Sequence, residues 1–166
     1  MKATKTLLIL LLLPAFFSFT VPKARPLQGG KGPQVKKEQS KRVIRRTAAV
    51  IFAAHKKVKE GKVYTGNLAR AISHQKFARK LHRNGKYFRA IHHSRRARHL
   101  AIMAIKANKG AESPDMKYSK DDESAMKGGP SDDDLDKELV KEMPGESMKD
   151  EDVIAADPDV DLKEDE

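Results

Sequence analysis

The sequence of 166 residues contains no cysteine. That absence excludes a disulfide framework and an anchor built on a lipid-modified cysteine, so stability must come from packing alone. Long apolar runs are lacking as well. The longest, Leu7 to Phe19, is shorter than the roughly 20 residues that a membrane-spanning helix needs.

Acidic residues are scarce in the first 110 positions. Only Glu38 and Glu60 occur there, against 27 Lys and Arg, which gives this part a net charge of +25. Residues 111–166 reverse the balance, with 21 Asp and Glu against 7 Lys and a net charge of −14. Blocks of opposite charge attract each other. Two interpretations stay open: the acidic block folds back over the basic one, or each block serves a separate partner.

The first 20 residues have the pattern of a secretory signal peptide, so we expect an exported, periplasmic or extracellular protein. An uncleaved membrane anchor is the alternative. Residues 21–39 are rich in Pro, Gly, Lys and Arg without apolar periodicity, and they predict a flexible basic linker. The signal consists of a positive start, an apolar run and small residues placed for cleavage before Val21: Lys2 and Lys5, Leu7 to Leu13, Ser18 and Thr20.

Residues 40–110 are the part of the chain that can build a core. Apolar residues recur there at spacings of three and four, which predicts an all-α fold of about three helices. We expect Ser40 to cap the first helix, which ends near Gly61. The second helix is predicted at about 68–83 and the third at about 86–109, with a break at Asn84-Gly85. So small a core favours a partner or a second copy that covers its remaining apolar surface.

One face of the third helix carries small residues, which would let a neighbouring helix approach closely. Together with the break, this segment resembles a single tetratricopeptide-like helical hairpin over about residues 71–104. The resemblance implies an antiparallel hairpin in which these positions serve packing. The residues that carry it are Phe77, Ala78, Leu81, Gly85, Tyr87, Ala90, Ile91 and Ala97.

Residues 111–166 have the composition of a disordered acidic tail, because so few apolar side chains cannot offset the entropy of an ordered chain. One stretch differs. Ser131 precedes three aspartates, Leu135 and Leu139 follow at helical spacing, and Pro144 ends the pattern. This punctuation predicts a short helix over residues 131–143, which is either transient or a docking motif.

The opposite face of the third helix is strongly cationic. It predicts contact with an anionic partner, such as an acidic protein, a polysaccharide or a lipid surface, although a solvated face explains it equally well. No zinc-finger, RNP or helix-turn-helix signature occurs, which argues against sequence-specific nucleic-acid binding. The candidate polyanion-binding residues are Arg89, Arg95, Arg96, Arg98 and Lys106.

The histidines do not have the spacing of a metal site. His92 and His93 are adjacent and therefore point about 100 degrees apart on a helix, and the third helix has no histidine pair at i and i+4. We instead expect His74 and His93 to face the hairpin interface as packing residues. A pair of Ser94 with His93 lacks an acid to orient it. The sequence therefore predicts no enzyme, metal or cofactor.

These features predict an exported, non-enzymatic binding or structural protein, with a basic helical module that its acidic tail screens. The alternative is a cationic, membrane-active helical segment that an acidic pro-piece holds inactive until cleavage. That alternative needs a processing site between Gly110 and the tail, and the sequence Lys109-Gly110 contains no dibasic pair.

The signal-like start yields a first prediction. We expect the mature chain to begin at or near Val21, because the small residues before it fit the cleavage positions. Intact mass or N-terminal sequencing of the protein from its host checks this. Met1 retained in a membrane fraction would indicate an anchor.

Overall fold

The computed structural model describes residues 32–111, 114–146 and 149–155, and the regular structure of these residues is helical. The all-α fold class is confirmed. The predicted signal peptide, linker residues 21–31 and residues 156–166 lie outside the described residues. The elements are α1 (Pro33–Gly61), α2 (Asn67–Arg83), α3 (Tyr87–Ala107), a 3-10 turn (Pro114–Met116), α4 (Lys120–Met126), α5 (Asp132–Glu142) and α6 (Asp150–Ile154).

Helix α1 begins earlier than the sequence indicates. Its first residue is Pro33, so residues 33–39 of the predicted linker are helical. Proline is well suited to a first helical position, where its missing N–H has no intrahelical partner to lose. Ser40 is therefore not an N-cap: it is buried in the helix and donates its hydroxyl to the carbonyl of Lys37 at 2.9 Å. The end near Gly61 is confirmed, with Lys62 in the left-handed conformation.

Helices α2 and α3 form a close antiparallel pair joined by Asn84, Gly85 and Lys86. The rings of His82 and Tyr87 lie beside the turn in a tilted arrangement, with centroids 5.3 Å apart. Further from the turn, Ser94 Oγ donates to Gln75 Oε1 at 3.0 Å. Gly85 adopts a φ of 73°, which a side chain would strain.

The core lies where the three long helices meet. Small residues of α3 are fully buried there, which allows α1 and α2 to pack closely on either side. A polar seam crosses the same core, because Thr47 donates to the Ser94 carbonyl and Gln75 donates to the Ile44 carbonyl. The main cluster contains Val50, Ile51, Ala54, Val58, Leu68, Ala71, Ile72, Ala97, Leu100, Ala101, Ala104, Ile105 and Met116.

The acidic segment contains more helix than its composition predicts. The helix predicted at 131–143 is confirmed as α5, with Ser131 accepting from the Asp134 N–H. Helices α4 and α6 were not predicted, and here the structure differs from the expected disorder. Helix α4 has a capping box in which Ser119 and Asp122 satisfy each other's backbone N–H groups. Asp122 of α4 pairs with Arg46 of α1, and Val153 and Ile154 of α6 pack against the main core cluster.

Helix α6 contributes to the cap at the start of α2. The Thr65 hydroxyl accepts from the Asn67 N–H at 3.4 Å. The fully buried Asp150 carboxylate accepts from the backbone N–H groups of Thr65 and Gly66 at 2.8 Å and of Ala69 at 2.9 Å. An anion at this position satisfies orphan donors and complements the helix dipole.

The tight helix crossing leads to a prediction about Ala97, which is fully buried in the main cluster. Ala97→Leu should lower the free energy of unfolding by about 1–3 kcal/mol, because the added atoms overpack the crossing. Urea denaturation followed by circular dichroism measures the change. Ala53→Leu on the exposed side of α1 is the control. Equal stabilities of the two variants would contradict the packing described.

Candidate functional site: a basic groove covered by helix α5

Helix α5 lies on the surface where α2 and α3 meet, which we call the α2–α3 groove. Its apolar side faces inward, with Leu135 and Leu139 only 1% and 2% exposed. Leu139 packs in a second apolar cluster with residues of all three long helices, and Met143 borders it. The other members of this cluster are Ile44, Phe77, Ala78, Leu81 and Ala90.

Asp136 contacts three basic side chains of the groove, more than any other carboxylate of α5 does. Arg96 donates to it in a fork, with Nε–Oδ1 at 2.9 Å and Nη2–Oδ2 at 2.7 Å. Arg70 also pairs with Oδ2, and His74 Nε2 lies 2.9 Å from Oδ1. Burial alone would raise the pKa of Asp136, but the hydrogen bond and charge of Arg96 lower it overall. Asp136 therefore stays ionised while docked between α2 and α3.

Two more acids flank this contact. Asp132 accepts from Arg96 Nη1 at 2.7 Å and from Arg95 Nη2 at 2.5 Å. Glu138 pairs with Arg89 on the other side. The hydrogen bond to Asp136 is the largest effect that raises the pKa of Arg96. The inner face of α5 therefore matches a row of guanidinium groups that spans about six residues of α5.

The predicted polyanion-binding residues have three different environments. Arg89, Arg95 and Arg96 lie on the α2–α3 groove and contact α5. Lys106 is exposed on the last turn of α3. Arg98 is only 1% exposed, so it does not lie on the open surface where a polyanion contact was expected. Residues of the acidic segment cover its guanidinium, namely Lys117, Tyr118 and Asp122.

Arg98 instead holds the start of the acidic segment. Its Nη2 donates to the Lys117 carbonyl at 2.9 Å, and its guanidinium lies 4.7 Å from the ring centroid of Tyr118. Asp122 lies 3.9 Å from Arg98 Nη1 and accepts from Arg46 Nη1 at 3.1 Å. A buried arginine with a carboxylate, a carbonyl and an aromatic ring beside it fixes this part of the chain against the core.

A buried pair of histidines lies under α5. His74 Nδ1 and His93 Nδ1 are 3.0 Å apart, and both side chains are fully buried. The expectation that these two residues face the hairpin interface is confirmed. Phe77 packs edge-on against His93, with ring centroids 4.6 Å apart.

Burial lowers the pKa of His74 to about 4, although its hydrogen bond to Asp136 acts in the opposite direction. Burial, together with the nearby His74 and Arg89, lowers the pKa of His93 to about 3. Both rings are therefore neutral near pH 7. The bonding assigns Nε2–H of His74 as the donor to Asp136, so His93 must donate its own Nδ1–H to His74. Within the part of the chain that the structure describes, His93 Nε2 is then an acceptor without a hydrogen-bond partner, and it lies 3.5 Å from Glu138 Oε2.

The acids that complete this site were not predicted from the sequence. No carboxylate lies near the histidines in helices α2 and α3, whereas α5 brings Asp136 to His74 from 62 positions away. A signal was present, because Asp132 and Asp136 share one helical face with Leu135 and Leu139. The hydroxyl of Ser94, considered above as a partner for His93, is instead bonded to Gln75.

Metal-binding groups of three or more His, Asp or Glu side chains do not occur within residues 32–111, 114–146 and 149–155. Among the helices that the structure describes, none is both long and apolar enough to cross a membrane.

Comparison with known proteins identifies no relative. No family model, curated protein sequence or solved structure matches the chain. The likeness of the α2–α3 hairpin to a tetratricopeptide repeat therefore stays a prediction.

The histidine pair leads to a pH prediction. Because the pKa values of His74 and His93 in the folded protein lie below the ordinary 6.5, the unfolded chain takes up these protons first. Stability should therefore be constant above about pH 6.5 and fall as the pH drops towards 4, by a few kcal/mol in order of magnitude.

Urea denaturation at several pH values between 7 and 4 measures this slope. His93→Gln should reduce it, whereas His99→Gln on the exposed side of α3 should leave it unchanged. A slope that is the same in the native protein and in both variants would contradict the assignment.

Proposed function

We propose that the protein is an exported, non-enzymatic binding protein whose α2–α3 groove binds an acidic partner, with α5 as a competing intramolecular ligand. The observation that carries this proposal is the position of α5, which covers Arg89, Arg95 and Arg96 with its own acids. Export is supported by the signal-like pattern of residues 1–20.

The contacts of α5 favour an acidic amphipathic helix of another protein as the partner. Ion pairs alone would suit a polysaccharide or a lipid surface equally well. The groove, however, also buries Leu135 and Leu139, and an apolar face with anchors at i and i+4 is a helix-in-groove mode of recognition. A competing helix would need two such apolar anchors and acids at the positions of Asp132 and Asp136.

The energies of these contacts are compatible with replacement of α5 by a competing helix from another protein. Ion pairs with partly exposed side chains contribute about 0–1 kcal/mol each, and Arg95, Arg89 and their acids are 26–39% exposed. A fully buried leucine contributes about 1.5–3 kcal/mol. Tethering gives α5 an effective concentration of order millimolar. An external helix therefore competes only when it binds more tightly than α5 or when α5 is weakened.

Neutralising the inner acids of α5 should open the groove. We expect the full chain with Asp132→Asn, Asp136→Asn and Glu138→Gln to bind a labelled peptide of residues 130–145 at least tenfold more tightly than the native chain. The reason is that the ion pairs holding α5 are lost while the basic side chains remain. Fluorescence anisotropy at low salt measures this affinity, and the difference should shrink as salt screens the charges.

The matched control carries Asp133→Asn, Glu142→Gln and Glu151→Gln, which change the net charge equally at exposed positions. It should bind the peptide as the native chain does. Equal tightening in both triple variants would show that total charge, not α5, governs binding. Heparin binding that increases while peptide binding does not would identify a polysaccharide as the better ligand.

A second variant displaces α5 without changing charge. Gly129, just before α5, lies against the His92 ring so closely that a Cβ atom there would collide with it. Gly129→Ala should therefore also increase peptide binding. Gly145→Ala, where a Cβ atom would meet nothing within 4 Å, should not.

A further inference from the structure

A cationic cavity also lies between α1 and α2. Its volume is about 250 Å³. Two lysines from α1 and two arginines from α2 line it, and Ile44 and His82 complete its wall. Among the described residues that line it, Glu38 is the one acid. The basic residues are Lys37, Lys41, Arg79 and Arg83.

The wall of this cavity is fixed by a partly buried hydrogen-bond chain. Ser40, fully buried, donates to the Lys37 carbonyl at 2.9 Å and lies 2.6 Å from His82 Nδ1. Because the serine proton is used on the carbonyl, His82 must donate its Nδ1–H to Ser40. The imidazole is thereby held in one orientation at the wall, and the ends of α1 and α2 are held together.

The lining matches a doubly charged anion better than a carboxylate. Guanidinium groups bind phosphate oxygens in a bidentate way, and lysines add point charges. A phosphate monoester carries about −1.5 to −2 charges at pH 7. The cavity is slightly smaller than the roughly 300–1,000 Å³ of typical ligand pockets, so it suits a phosphate group with a few attached atoms.

We propose that this cavity binds a terminal phosphate monoester, carried by a small molecule or by a lipid headgroup. Arg79 and Arg83 grip the phosphate oxygens, Lys37 and Lys41 balance its charge, and Glu38 weakens the site. Arg89, Arg95 and Arg96, which contact α5, do not line this cavity, although Ile44 in its wall belongs to the apolar cluster that Leu139 of α5 joins.

Isothermal titration of the full chain with glycerol 3-phosphate in about 150 mM NaCl tests the site, since surface pairs are strongly screened there. We expect saturable binding with one site per chain. Arg79→Gln with Arg83→Gln should weaken it tenfold or more, whereas Lys56→Gln with Lys59→Gln, exposed on the same α1, should change it less than twofold. Absence of saturable binding, or equal weakening by both double variants, would overturn the proposal.

Glu38→Gln provides a test in which the expected result is tighter binding, a result that an unfolded variant would not give. Removing the acid from the lining should tighten glycerol 3-phosphate binding several-fold. Glu60→Gln makes the same charge change at the other end of α1, where Glu60 pairs with Lys57, and should leave binding unchanged. Equal tightening by the two variants would reduce the effect to net charge and refute a defined site.

Vesicles distinguish the two sources of phosphate. Phosphatidic acid vesicles present a phosphate monoester, whereas phosphatidylglycerol vesicles present a diester. Tighter binding to the phosphatidic acid vesicles would identify a lipid headgroup as the ligand. Binding of glycerol 3-phosphate without such a preference in vesicles would identify a soluble ligand. Equal binding to both vesicle types without binding of glycerol 3-phosphate would contradict the proposal.

Discussion

The close crossing of α3 with α1 and α2 is the constraint on which the rest of the structure depends. Ala90, Ser94, Ala97, Ala101 and Ala104 are fully buried, so the neighbouring helices approach with little side-chain volume between them. The close approach also brings arginines of α2 and α3 near enough to share one carboxylate, as Arg70 and Arg96 share Asp136. The basic groove is thus a result of core packing as much as of charge.

The acidic segment is ordered by contacts with the three long helices, which its composition does not reveal. Its few apolar side chains would not form a core of their own. They add to an existing one: Leu139 enters a cluster built by α1, α2 and α3, and Met116 joins the main core. The carboxylates determine the orientation of these additions, since Asp122, Asp132 and Asp136 each meet a specific arginine.

The features that depend on neighbouring residues, namely which helix face is buried and where a helix begins, could be predicted from the sequence. The stripe of Leu68, Ile72, Gln75, Ala78 and Leu81 is buried throughout, and Ser131 marks the start of α5. Long-range pairings were not predictable in the same way. A basic helical face does not show which acid will meet Arg96, and the burial of Arg98 depends on Tyr118 and Asp122, which lie outside the helical repeat. The early start of α1 was missed because Pro and Gly-rich composition outweighed the favourable first position of Pro33.

The cap that Asp150 gives to α2 has a consequence for the order in which the chain acquires its structure. During synthesis from the N-terminus, α1, α2 and α3 are complete well before residue 150 exists. Until then the first turn of α2 has no carboxylate for the N–H groups of Thr65, Gly66 and Ala69. The loop between α1 and α2 therefore reaches its final conformation only after residue 150 has been made, and loss of α6 would remove the carboxylate that accepts from Thr65, Gly66 and Ala69.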